Sequence, residues 1–177
     1  MTESSSTALA LRIAVVEVEA QASDSGWDQP SRLFALVRTT ELAAAEPELA
    51  AELGIHDNSA ALFTPVEQDL EHHNEPVEEL LAGITWPEEV DGALVVIERV
   101  VLPPEAEEQV PDEPAAASAF AVTHARREDV RIAAGVLRSG ESHCVLRLRS
   151  HDSDDALMHG GEVVPRLVQA LRETLET

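Results

Sequence analysis

The chain of 177 residues carries 34 acidic and 12 basic side chains, which gives a formal charge of −22. This length fits one domain, and an apolar fraction of 44% is enough to build a hydrophobic core. The acidic excess argues against nucleic-acid binding, which depends on basic side chains that neutralise phosphates. It favours solubility and attracts basic or cationic partners.

Missing residue types exclude several reaction classes. All basic residues are arginines and the chain contains no tyrosine, so a P-loop, a kinase site and a Schiff-base lysine are ruled out. Cys144 is the single cysteine, which excludes an intrachain disulfide and a cysteine-only zinc site. The sequence therefore predicts no bound cofactor and favours a protein without enzymatic activity.

The sequence also lacks the signals of export and membrane insertion. Residues 1–7 are polar and lack the basic-then-apolar pattern of a signal peptide. No apolar run approaches the roughly 18 residues that a membrane span needs. We therefore expect a cytoplasmic protein without membrane contact, and a homodimer is one state that the sequence leaves open.

The predicted elements follow one another without an internal repeat or a linker. Residues 1–7 are predicted to be disordered, and residues 8–20 to form a helix. Its apolar stripe follows from helical spacing: Leu9, Ile13, Val16 and Ala20. Apolar runs, prolines and glycines then predict, in chain order, a turn at 23–30, a buried strand at 32–37, short helices at 41–45 and 48–53, an edge strand at 62–68, a helix at 77–82, a central strand at 93–102, a loop at 103–114, a helix at 115–124 and a final helix at 163–175.

The C-terminal hairpin can be assigned a register. Its strands are 129–137 and 141–149, and a two-residue loop between them would mix charged and apolar side chains on one face. A three-residue loop over 138–140 instead pairs Ile132 with Leu146 on one face, with the arginines on the other. That register separates apolar from charged side chains, so it is favoured. It also places the glycine of the loop where a positive φ is needed.

These elements predict an α+β fold. We expect a single domain over residues 8–177, built on a mainly antiparallel sheet of about five strands that includes the C-terminal hairpin. The helices are expected mainly on one face of that sheet.

Three stretches of the sequence resemble a known protein family. They are Gly26–Pro30 with Arg32–Val37, Ile97–Glu107, and Val130–Arg138 with His143–Arg149. Together they are similar to an uncharacterised family of small actinobacterial proteins, over about residues 27–171. The resemblance implies no activity and no catalytic residue, because the family has no established activity.

A local reversal of charge marks a candidate binding site. Six arginines and three acidic residues lie between residues 126 and 149. The predicted register places Arg131 opposite Arg147, with Arg149 beside them, and guanidinium groups suit a carboxylate or a phosphate. We therefore take these three arginines as candidates for binding a ligand or a protein partner. The alternative is that acidic residues of the chain itself pair with them.

A short histidine- and aspartate-rich segment offers weaker metal candidates. His151, Asp152 and His159 carry ligand types that zinc or manganese accepts, although their spacing matches no known metal motif. A second polar segment, Glu71–His73, is weaker still. No residue is assigned a catalytic role.

Two functions remain open from the sequence. The first is a small acidic, non-enzymatic interaction or adaptor module that binds a protein partner. The second is a small-ligand or metal-dependent enzyme that uses the arginines or the His151–His159 segment. Nucleic-acid binding is disfavoured by the charge.

Overall fold

The computed structural model describes residues 2–55, 62–70, 76–160 and 164–176. Within them, six strands form one antiparallel sheet in the order β2-β1-β3-β4-β5-β6. The strands are β1 Arg32–Arg38, β2 Phe63–Gln68, β3 Gly92–Val101, β4 Glu128–Leu137, β5 Ser142–Leu148 and β6 Met158–Gly160. The predicted α+β class and antiparallel sheet are confirmed. The sixth strand was not expected, because three residues are too few to show an alternating pattern.

Seven α-helices accompany the sheet in the described residues. They are α1 Thr2–Asp24, α2 Thr39–Ala45, α3 Pro47–Glu52, α4 Val77–Ala82, α5 Pro104–Glu107, α6 Pro114–Thr123 and α7 Pro165–Thr174. Helix α1 begins well before the predicted residue 8, and α5 lies inside the predicted loop. No helix in the described part of the chain combines the length and apolar character needed to cross a membrane.

One face of the sheet is covered by α1. The helix packs on β4 and β5 through a stripe of mostly small apolar side chains: Leu11, Ala14, Val15, Val18 and Ala22. The predicted stripe was wrong, since Leu9 and Ile13 are 58% and 45% exposed. Because α1 is apolar around much of its circumference, helical spacing fits more than one stripe. The sheet binds the side whose small residues allow close approach.

The opposite face of the sheet is covered by α4 and α7. Leu81 of α4 and Leu167, Val168 and Leu171 of α7 are buried there. The central strand β3 is apolar on both faces and therefore needs cover on both. The prediction that the helices lie mainly on one face of the sheet was incomplete, because it did not place α1 on the face opposite α4 and α7.

The predicted hairpin register is confirmed. Ile132 pairs with Leu146 and Arg131 pairs with Arg147. The amide of Leu137 donates to the carbonyl oxygen of Glu141 at 2.9 Å, which closes a three-residue loop. Gly140 in this loop has a φ of 110°, a conformation that favours glycine.

An arm extends from one end of the sheet. Strand β1 pairs with β3 only as far as Val96, whereas β4 pairs with β3 as far as Val101. The residues Val100–Asp129 therefore project beyond β1, and they include α5 and α6. We call this segment the arm.

Gly135 sets how closely α1 approaches the sheet. A Cβ at this position would lie 2.8 Å from Val15 Cγ2 and 3.0 Å from Leu11 Cδ1, both in buried side chains. Gly135→Ala should therefore lower the free energy of unfolding by about 1–3 kcal/mol, the usual cost of overpacking a core.

The matched control is Gly83→Ala. There the nearest atom to a new Cβ is 3.7 Å away, so the change should stay within about 0.5 kcal/mol. Urea unfolding of both variants measures the difference, and equal stabilities would contradict the close packing of α1 at Gly135.

Candidate functional site

A buried glutamate lies between the two central arginines. Glu19 of α1 is 0% exposed, and the side chains of Arg131 and Arg147 are 1% and 2% exposed. Arg147 Nε donates to Glu19 Oε1 at 2.6 Å, and its Nη2 donates to Oε2 at 3.0 Å. Arg131 Nη1 lies 3.6 Å from Oε1. The carboxylate thus makes it possible for two like charges to face each other on adjacent strands.

Further carboxylates surround the same arginines. Arg147 also donates to Asp152 at 3.1 Å and to Asp154 at 2.7 Å. The hydrogen bond that Arg147 donates to Glu19 is the largest of the effects that raise the pKa of Arg147 above its ordinary value, so this guanidinium stays charged. Internal pairing, the alternative that the sequence left open, therefore describes the surroundings of Arg147.

The outermost arginine is also paired. Arg149 donates to both carboxylate oxygens of Asp28, at 3.0 Å and 3.2 Å, and to Asp129 at 3.2 Å. The bond from Arg149 holds the pKa of Asp28 below its usual range. In space, the three candidate arginines face at least as many carboxylates, so they form no positively charged patch.

Trp27 is held against this cluster. The guanidinium carbon of Arg131 lies 4.4 Å from the centre of its ring, and that of Arg149 lies 5.5 Å away, within cation–π range. The indole Nε1 donates to Asp152 at 3.0 Å, and this bond is the main reason that the pKa of Asp152 is lowered. The indole therefore anchors the loop that joins α1 to β1.

Glu98 fixes the next residues of that loop. Its two carboxylate oxygens accept from the amides of Asp28 and Gln29, each at 2.8 Å. Asp28 has a φ of 64°, which is uncommon for a residue other than glycine. The bonds to Glu98 and Arg149 hold it in that conformation.

Glu19 is the residue of this cluster that sequence reasoning missed. It lies on the buried side of α1, next to Val15, Val18 and Ala22 in helical projection. A single acid in an otherwise apolar stripe signals a buried ion pair, since a carboxylate is rarely buried without a partner. The predicted apolar stripe lay on the other side of the helix, so Glu19 was not identified as a buried acid.

The structure does not bring the metal candidates together. His151 Nδ1 contacts Ser150 Oγ, Asp152 binds Trp27 and Arg147, and His159 Nδ1 lies 3.2 Å from His143 Nε2. Among the described residues, no group of three metal-ligating side chains is close enough to hold an ion. The second candidate segment, 71–73, lies outside the described residues.

A cavity of about 300 Å³ lies beside the cluster, where α1 ends above the sheet. Ala22 of α1 and Ser25, which directly follows the helix, line it, together with Val96 and Glu98 of β3 and Arg131 of β4. This is the lower end of the usual size range for small-molecule sites. The cavity and the ion-pair cluster together form the candidate functional site.

The fold and the site define an α+β protein in which a buried glutamate between two arginines holds a long N-terminal helix on an antiparallel sheet. The chain belongs to the PPA1309-like protein family, whose model matches residues 11–176. The resemblance to an uncharacterised family is thereby confirmed. No curated protein and no solved structure matches the chain.

Removing the buried carboxylate should strongly destabilise the protein. Glu19→Ala leaves two arginines buried opposite each other, and breaking a buried pair costs about 3–5 kcal/mol. The control is Glu17→Ala, an exposed position on the same helix, which should change stability by no more than about 0.5 kcal/mol.

Urea unfolding measures both variants. If Glu19→Ala does not fold, Glu19→Gln keeps the shape of the side chain and should still be less stable than the wild type. Similar losses for positions 17 and 19 would show that the buried pair does not hold α1 in place.

The paired histidines give a pH-dependent prediction. Burial, followed by the charges of His159 and Arg12, lowers the pKa of His143 below its ordinary 6.5. Because the folded state disfavours the imidazolium, this contribution to stability is present above pH 6.5 and is lost as the pH falls through the lowered pKa. His159→Gln should therefore raise the pKa of His143 in an NMR titration. His151→Gln is the control, and an unchanged pKa in His159→Gln would refute the coupling.

Proposed function

We propose that the protein is a non-enzymatic interaction module whose arm binds a basic, partly apolar segment of another protein. The observation that carries this proposal is α6, a helix of ten residues in which no residue is buried. Its sequence is rich in alanine and includes Phe120 and Val122. An isolated helix shorter than about 12–15 residues is marginally stable in water. A partner that covers α6 would add to the limited packing that β3 provides.

A groove beside α6 supports a macromolecular partner. It has a volume of about 530 Å³, and Val122 of α6 and Val100 of β3 line it. Val100, Val101 and Val122 are among the exposed large apolar side chains. Contiguous exposed apolar surface with a polar rim is typical of protein-interaction sites.

Charge defines the chemistry of the partner. The arm contains seven acidic residues and two arginines. The groove itself is balanced in charge, since three acidic residues and three arginines line it: Asp28, Glu98, Asp129, Arg99, Arg127 and Arg149. The acidic excess of the arm outside the groove, together with the two valines that line the groove, is complementary to a segment that carries both basic and apolar side chains. The formal charge of the whole chain would steer the same kind of partner.

The three candidate arginines take different places in this proposal. Arg149 lines the groove and remains part of the proposed surface, in its pair with Asp28 and Asp129. Arg131 and Arg147 are buried beneath α1, so a protein partner does not reach them while α1 is in place.

Peptide binding tests the proposal. Fluorescence anisotropy with a labelled peptide of alternating lysine and leucine should show saturable binding, and a peptide of alternating glutamate and leucine should not bind. Val122→Glu should weaken the binding of the lysine–leucine peptide at least about tenfold, a loss of about 1.4 kcal/mol, because a charge replaces an apolar contact. A purely electrostatic association would instead be strengthened by this added carboxylate.

The matched control is Leu53→Glu, another exposed large apolar residue, at the end of α3 and outside the arm. It should leave binding unchanged. Equal losses in both variants, or no binding of the basic peptide, would overturn the proposal. A concentration-dependent dimer in native mass spectrometry that Val122→Glu abolishes would also overturn it, since the arm would then bind a second copy of the chain.

A further inference from the structure

One residue that lines the cavity beside the ion-pair cluster has an unused hydrogen-bond donor. Arg131 lines the cavity and is almost completely buried. Its Nη2 donates to the carbonyl oxygen of Gly26. Its Nη1 has no hydrogen-bond acceptor among the described residues, because Glu19 at 3.6 Å is an ion-pair partner that is too distant for a hydrogen bond. Buried guanidinium nitrogens are rarely left in this state.

The carboxylates around the cavity differ in how far they are already engaged. Glu98 accepts two backbone amides, and Glu67 is bound by Arg32 at 2.8 Å and 3.0 Å. Asp69 also lines the cavity, is exposed, and forms no ion pair with any described arginine. The residues that line the cavity thus include one buried arginine with an unused donor and one exposed carboxylate without an ion-pair partner.

This arrangement limits the charge of a ligand. Glu67, Asp69 and Glu98 together outnumber Arg32 and Arg131 in the lining, so a dianion such as phosphate would be repelled. A carboxylate oxygen satisfies Nη1 of Arg131, and a positive group on the same molecule balances the rim.

From these observations we propose that the cavity binds a small zwitterion, an aliphatic amino acid whose carboxylate accepts from Arg131 and whose ammonium group faces Asp69. The volume of about 300 Å³ accommodates a molecule of this size. This site is independent of the arm and does not depend on the proposed protein partner.

Isothermal titration calorimetry on the full chain tests the site. The probes are glycine, β-alanine and γ-aminobutyrate, whose two charges are progressively further apart, with acetate and ethylamine as singly charged controls. At least one zwitterion should bind saturably and at least about tenfold more tightly than either control.

Two variants at the rim avoid the buried cluster. Asp69→Asn removes the charge at the rim of the cavity. It should weaken the binding of the zwitterion without weakening the binding of acetate. Ser25→Leu, at an exposed position that lines the cavity, should block all ligands by filling the space. Asp112→Asn, an exposed residue of the arm, is the matched control and should change nothing.

Several outcomes would overturn the proposal. The absence of binding by every zwitterion in the folded protein refutes it directly. A simple anion site would be indicated if acetate bound as tightly as the zwitterions and if Asp69→Asn increased the affinity for both. Binding that survives both Asp69→Asn and Ser25→Leu would place the ligand elsewhere. Val122→Glu should have no effect on these titrations, which separates this result from the test of the arm.

Discussion

The carboxylate of Glu19 determines how the rest of the structure is arranged around α1. Strands β4 and β5 place Arg131 and Arg147 opposite each other under the helix, and without a negative charge between them that pairing would be unfavourable. Taking three charges out of water is costly, so the ion pair must be accurately positioned to be tolerated. Its position fixes the rotation of α1 about its axis. The small side chains of α1 therefore face the sheet, and Leu9 and Ile13 are left in solvent.

The unused donor of Arg131 is a consequence of competition for the same carboxylate. Arg147 occupies both oxygens of Glu19 through Nε and Nη2, so Arg131 keeps only the electrostatic attraction at 3.6 Å. Arg131 then directs one nitrogen to the carbonyl of Gly26 and lies against Trp27. Because α1 ends soon after Ala22, no further side chain of the helix fills the space beyond. The cavity thus lies between the end of the helix and the ion pair that holds the helix on the sheet.

Elements with a local signal were predictable from the sequence, and contacts between distant segments were not. The register of the β4–β5 hairpin follows from alternation within two neighbouring strands, and the stripe of α7 repeats cleanly at helical spacing. The buried stripe of α1 could not be predicted in this way, because the helix is apolar on more than one side. The positive charge of the arginine segment was counted along the chain. In space it is cancelled by Glu19 and Asp28, which precede β1, and by Asp152 and Asp154, which lie between β5 and β6. Similarly, His151, Asp152 and His159 are neighbours in sequence, yet each side chain has partners of its own.

The two proposed binding regions lie on the same side of the sheet and are joined by one indole. Arg149 lines the groove of the arm, Arg131 lines the cavity, and Trp27 lies close to both guanidinium groups. The second tryptophan, Trp86, is buried on the opposite side, where its Nε1 donates to Thr174 of α7. Displacement of either arginine would change the surroundings of Trp27 and leave those of Trp86 unchanged. Trp27 is therefore more than a loop anchor, since its ring contacts one arginine from the lining of each proposed binding region.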